Sequence, residues 1–336
     1  MIPKPLGSRQ VPDWQLALQA GFTRPRALLD YLELNPELPA LAPALLRGFP
    51  LRVPRAYAAR MQKGNPDDPL FRQVWPQPAE GQEVPGYHRD AVGDLARTRP
   101  GGLIHKYQGR ALVIATGACA VHCRYCFRRH FPYGGQLAAR DHWRETLATI
   151  AADPSLEEII LSGGDPLALA DDKLAAFADA LEEIPHVQRL RLHTRQPVVL
   201  PERVDASLLA WLGRGRLRKL IVLHVNHPQE LGPELCAALG RLRALGLPLL
   251  NQSVLLRGVN DSAPVLAELS RSLFNAGVLP YYLHLLDPVE GAAHFNVTDT
   301  EAADLMRDLS AQLPGYLLPR LVREIPGEPA KTPIAW

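Results

Sequence analysis

From residue 111 onward, short apolar runs rich in β-branched residues alternate with helical patterns, and this rhythm constrains the fold more than any other feature of the 336 residues. The runs fall at 111–116, 158–162, 190–194, 219–225, 249–256 and 281–286. Apolar residues at helical spacing fill 141–152, 172–184, 205–213, 233–245, 262–276 and 299–311. Six such alternations, at about 30 to 40 residues each, predict an α/β fold with a parallel sheet and crossover helices. Six strands make an incomplete barrel, a partial (β/α)6 TIM-like arrangement open on one side. In a parallel barrel the reactive residues gather where the strands end. Here Cys119 follows the first run, Gly163-Gly164-Asp165 the second and Arg195 the third, while His224 and Asn226 close the fourth, Gln252 lies in the fifth and Asp287 ends the sixth.

The first hundred residues are Pro-rich and helical in pattern, at 14–20 and 25–34, with a breaker-rich loop at 63–69. The expected organisation is a helical extension at 1–100, a barrel core at 101–298 and a closing segment at 299–336. With 37 basic against 35 acidic residues the net charge is +2, which offers no electrostatic case for nucleic acid or an anionic membrane. No apolar stretch reaches the roughly 18 to 20 residues of a membrane span, and the start lacks a signal-peptide run. A cytoplasmic protein is expected.

Three of the four cysteines lie within eight positions, in Thr116-Gly-Ala-Cys119-Ala-Val-His-Cys123-Arg-Tyr-Cys126. Crowded cysteines without a secretion signal point to metal binding sooner than to disulfides. The C-x3-C-x2-C form can hold three irons of a [4Fe–4S] cubane and leave the fourth iron open. The alternative is zinc, with His122 or His130 as fourth ligand, although no second ligand doublet is visible. Cys236, far from the others, is expected to be a small buried residue of a helix.

The cysteine motif directly after a strand, with Tyr125 before the last cysteine and Ser162-Gly163-Gly164-Asp165 one strand later, resembles the radical S-adenosylmethionine (SAM) superfamily. More of the chain, from about residue 50 to 333, is similar to the lysine 2,3-aminomutase family within it. The likeness is carried by His105-Lys-Tyr-Gln-Gly-Arg110, Arg195-Gln-Pro-Val-Val-Leu-Pro201, His224-Val-Asn226-His-Pro228, the run at 251–261, Tyr281-Tyr-Leu-His-Leu-Leu-Asp287 and the tail Arg323-Glu324-Ile-Pro-Gly327-Glu-Pro-Ala-Lys331.

The resemblance implies a cluster on Cys119, Cys123 and Cys126, with SAM on the open iron. Tyr125, Ser162, Gly163, Gly164, Asp165, Arg195, His224 and Gln252 match positions around SAM. Lys331 matches the lysine that carries pyridoxal 5′-phosphate (PLP), with Tyr107 and Arg110 around that cofactor and Lys106 a further candidate for its phosphate. Arg128 matches the arginine that grips the substrate α-carboxylate through its bidentate fork. Asp287 and Glu324 match two acids that bind the ε-ammonium of L-lysine, although the second is an aspartate in well-studied members. The implied reaction is radical migration of the amino group from C2 to C3, giving β-lysine, with an electron donor of flavodoxin or ferredoxin type; the alternatives are the same rearrangement on arginine, less readily on glutamate, and a non-catalytic iron–sulfur binding protein. Glu324, the stiff Gly327-Glu-Pro-Ala segment and a chain that stops five residues after Lys331 resemble the branch that makes (R)-β-lysine for translation elongation factor P and its lysyl ligase.

Overall fold

The computed structural model describes residues 11–36, 48–135, 137–141 and 143–336, so the parts of the expected helical extension at 1–10 and 37–47 lie outside the described residues. One ten-stranded sheet runs in strict chain order. It opens with β1 (Thr98–Arg99) and β2 (Leu103–Tyr107), antiparallel to each other, and β2 pairs antiparallel with β3 (Arg110–Thr116). The parallel run continues through β4 (Glu158–Gly163), β5 (Arg189–Thr194), β6 (Arg218–Leu223), β7 (Leu249–Val254) and β8 (Leu279–His284). Helices Arg144–Ala151, Asp171–Glu182, Ala206–Leu212, Pro233–Arg243, Ala263–Asn275 and Asp299–Ser310 follow β3 to β8 in turn. All six expected β/α units are therefore present.

The sheet extends beyond that expectation at its far end. A seventh parallel strand, β9 (Arg320–Arg323), pairs with β8, and β10 (Thr332–Pro333) folds back antiparallel on β9. Four and two residues between prolines are too few to show any periodicity.

The local reasons are ordinary. Helix Asp171–Glu182 buries Leu174, Phe177, Ala178 and Leu181, one stripe at helical spacing, against the sheet. Each fully buried large apolar side chain there contributes roughly 1.5–3 kcal/mol. Helix Asp299–Ser310 starts at a capping box, in which Thr298 accepts from the Glu301 N–H and Glu301 accepts from Thr298. Helix Pro233–Arg243 buries Leu235, Ala238, Leu239 and Leu242, and position 236 falls off that stripe. Cys236 is therefore exposed, not buried as expected.

The N-terminal segment packs Trp14, Phe22, Leu28, Val53, Tyr57 and Phe71 into a cluster that also takes in Ala120 and Val121 of the cysteine loop. That shared core presses the loop onto the barrel. No helix among the described residues is long and apolar enough to cross a membrane.

Candidate active site

The barrel encloses a cavity of about 1490 Å³. Every residue read from the sequence as a cluster, cofactor or substrate contact lines it, from the three cysteines at one end to Lys331, Glu324 and Asp287 at the other, whereas Asn226, buried beside Gln73 and Tyr125, stands outside that lining. In β5, Arg189, Arg191 and His193 alternate with buried Leu190, Leu192 and Thr194, so this strand turns a polar face to the cavity.

At the cysteine end, Cys119, Cys123 and Cys126 are free, part-buried thiols on the loop after β3. Burial pushes the Cys126 thiol up to about 11 and raises the other two, so their ionised forms need positive charge beside them. Iron would supply that charge, and Arg195 Nη1 already donates to Cys123 Sγ at 3.4 Å. The zinc alternative lacks its histidine. His122 Nδ1 lies 2.8 Å from Pro50 O and its ring stacks on Phe49, while His130 Nε2 lies 3.1 Å from Glu290 O. Among the described residues no three His, Cys, Asp or Glu side chains converge on a single-ion site. Two loop arginines are anchored on one buried acid: Arg124 Nε donates to Glu80 Oε1 at 2.9 Å, and Arg129 Nη2 to Glu80 Oε2 at 2.7 Å.

The Gly-Gly-Asp segment packs directly beneath this loop. Gly163 has φ +120°, and a Cβ there would lie 2.5 Å from Thr116 O; at Gly164 it would lie 2.5 Å from Ala118 O. Both positions therefore require glycine for close backbone approach. Asp165 accepts from Leu167 N, Thr194 Oγ1, Arg195 N and Gln196 N at 2.7 to 3.0 Å. Its carboxylate is thus spent on tying the ends of β4 and β5 together. Arg195 is fixed on its other side by Tyr57 OH, Gln73 Oε1 and Glu230 Oε2, at 3.0, 2.8 and 3.0 Å. The Tyr125 hydroxyl accepts from Asn226 Nδ2 at 2.7 Å. Burial, with Arg195, Lys331 and Arg128 nearby, holds His224 near 3, so its neutral ring accepts from the Gln252 amide at 2.6 Å.

The lysine end is a chain of charges. Arg128 Nε donates to Asp94 Oδ2 at 2.7 Å, and Arg128 Nη1 to Ser162 Oγ at 3.1 Å. Lys106 Nζ bridges Asp94 Oδ1 at 2.6 Å and Glu324 Oε1 at 3.2 Å. Lys331 Nζ takes Glu324 Oε2 at 2.6 Å and lies 6.0 Å from the Tyr282 ring centroid. Burial alone would raise the Glu324 carboxyl, but Lys331 and Lys106 hold it near 2. Arg110 lies over the Tyr107 ring at 4.6 Å. Asp287 differs from its neighbours: its Oδ1 is buried without a hydrogen-bond partner, and burial pushes its carboxyl up to about 7.

Sequence reasoning missed several of these groups. Asp94, Glu80, Gln73 and Glu230 gave no local signal of a role at the site, because the arginines they hold there lie from 34 to 122 residues away; locally, Glu80 and Glu230 only close capping boxes. His193 and His284, each lining the cavity with an unpartnered Nε2, could have been found from the polar alternation of their strands.

Residues 113–214 match the family model of the Radical SAM superfamily. The chain is 49% identical over 323 residues to an L-lysine 2,3-aminomutase of Escherichia coli (strain K12), covering 96% of this chain and 94% of that one. It is 44% identical over 332 residues to an L-lysine 2,3-aminomutase of Haemophilus influenzae (Rd), covering 99% and 98%. A solved radical SAM methyltransferase from Sphaerobacter thermophilus matches 66% of this chain and 68% of its own, at 20% identity and a TM-score of 0.47. An open parallel barrel whose cysteine loop falls within that family match defines a radical SAM enzyme. Within that class the chain belongs to the lysine 2,3-aminomutase family and is an isomerase, an aminomutase. Enzymes of this family use a [4Fe–4S] cluster, SAM and PLP.

Proposed function

We propose that this chain converts L-lysine to β-lysine, with the cluster on Cys119, Cys123 and Cys126 and PLP on Lys331. The observation that carries this reading is Asp287 Oδ1, buried on the wall of the cavity that also holds the three thiols and Lys331, yet without a donor. A buried carboxylate oxygen in that state is costly, and a ligand cation relieves the cost. The ε-ammonium of lysine is such a cation. Arg128, held through Nε by Asp94 and through Nη1 by Ser162, keeps its remaining Nη2 edge for an α-carboxylate. Arg110 and Arg191, the latter with a buried unpartnered Nε, suit the phosphate of PLP.

When bound, the cluster and SAM supply an organic radical, and PLP supplies a π-system over which an unpaired electron spreads. The chain's own part is to bind and orient. Arg195 fixes one face of the cysteine loop, while His224 and Gln252 present a neutral hydrogen-bonded pair to the space between cluster and lysine. Glu324 and the Gly327-Glu-Pro-Ala run support the branch assignment, in which (R)-β-lysine formed in the cytoplasm serves elongation factor P through its lysyl ligase. The electron donor is then of flavodoxin or ferredoxin type.

The test is anaerobic incubation of the reconstituted protein with L-lysine, SAM and a chemical reductant, read by chiral chromatography. (R)-β-lysine is expected. SAM cleavage without β-lysine, or rearrangement of arginine in preference, overturns the substrate assignment. Borohydride reduction and peptide mapping should place a pyridoxyl group on Lys331, and label on another lysine overturns the cofactor assignment.

A further inference from the structure

The lysine end holds three carboxylates, Asp94, Asp287 and Glu324, and three cations, Arg128, Lys106 and Lys331. Five of the six form an unbroken chain of ion pairs from Arg128 through Asp94, Lys106 and Glu324 to Lys331. Their side chains are between 3% and 23% exposed, so these pairs are screened far less than surface ones. Both oxygens of Glu324 are taken, Oε1 by Lys106 at 3.2 Å and Oε2 by Lys331 at 2.6 Å. Only Asp287 keeps an oxygen without a donor. With Asp287 ionised the group is balanced in charge, and an incoming ammonium finds one acid with an oxygen available.

We infer that Lys331 occupies on Glu324 the place meant for the substrate's ammonium, so that Glu324 is free to capture an incoming ammonium only while the Lys331 amine is held by its aldehyde cofactor. This rests on the functional reading above and deepens it. In the condensation, the Lys331 ammonium releases a proton to solvent and its amine adds to the aldehyde carbon. A C=N bond forms, the C=O bond breaks, and one water leaves. An imine nitrogen no longer offers Glu324 an ammonium, so Glu324 Oε2 is freed. The acids then outnumber the ammonium and guanidinium partners left in the chain by one, and a second ammonium restores the balance. Cofactor loading and selection of a cationic substrate are coupled through one carboxylate, and the coupling is reciprocal. Glu324 is the residue with reach for both lysines, since Lys106 holds one oxygen in place while the other changes partner.

The test uses the full-length protein without PLP, titrated calorimetrically with 6-aminohexanoate, which carries a carboxylate and a distal ammonium but no α-amine. Lys331→Met removes the competing ammonium and should tighten binding about tenfold over wild type. Glu324→Gln in the same background should erase that gain, and Lys331→Ala should reproduce it. Cluster absorbance after reconstitution reports that each variant has folded. Equal affinity of wild type and both Lys331 variants, no binding to either variant, or a gain that survives Glu324→Gln overturns the inference. Turnover of L-lysine by the loaded wild type is measured separately. Its absence sinks the functional reading while leaving the titration result standing, and a failed titration beside intact turnover sinks the inference alone.

Discussion

Replacing Asp287 by Asn should stabilise the ligand-free protein above neutral pH while costing it lysine. Burial outweighs the attraction of Lys331 and Lys106 and lifts this carboxyl from the ordinary 3.8 to about 7. Because the folded-state value is raised, ionising Asp287 weighs against the fold. The penalty is absent below the ordinary value, grows as pH rises, and is complete above about 7. A displacement of that size corresponds to on the order of 4 kcal/mol, falling to about half by pH 5.5. Asn carries no such penalty, so the variant should unfold later than wild type at pH 8.5, by on the order of 5 °C. The gap should narrow toward pH 5.5. Circular dichroism melts under anaerobic buffer at both pH values provide the measurement. The same substitution removes a charge partner for the substrate's ammonium and should cost about 3 to 5 kcal/mol in kcat/KM for L-lysine. A variant less stable than wild type at pH 8.5, or a gap indifferent to pH, would refute the reasoning that Asp287 is a carboxylate lacking a partner.

Two further outcomes are expected. Cys119→Ala, Cys123→Ala and Cys126→Ala should each abolish cluster absorbance and reductive SAM cleavage, whereas Cys236→Ala, altering an exposed helix position, should change neither; cluster loss in the Cys236 variant sinks the three-ligand assignment. Gly164→Ala places a Cβ against the Ala118 carbonyl, a backbone atom that cannot give way cheaply, and should cost about 1–3 kcal/mol of stability and lower cluster content after reconstitution; wild-type cluster content and melting would show that the loop tolerates displacement.

The β/α units were legible because strands buried on both faces read as continuous apolar runs, β3 and β6 above all, and because their helices are long enough to show a stripe. β9 and β10 were not, being fixed by pairing with β8 and by the chain's return rather than by composition. In the site, identity was more legible than partnership. Asp165 reads from sequence as a ligand contact, but its carboxylate accepts four bonds from its own chain. Glu324 reads as a substrate acid, but Lys106 and Lys331 hold both its oxygens. Asp94 has no motif around it, and its importance comes from Arg128 and Lys106, which the fold brings to it from 34 and 12 positions away.

The sheet never closes on itself, yet Lys106 of its second strand touches Glu324, just past its ninth. Near the same place, Pro326 packs beside Gly93. The two edges of the barrel are thus drawn together there by side chains rather than by a ladder of peptide groups. A closed barrel must break main-chain hydrogen bonds to widen. Here the seam is held by the Lys106–Glu324 ion pair, by a hydrogen bond between Tyr107 and Glu324 and by the packing of Pro326 on Gly93, and the segment bearing Lys331 forms one lip of it. A side-chain seam of this kind opens without breaking a peptide ladder, on the side of the barrel where Lys331 lies.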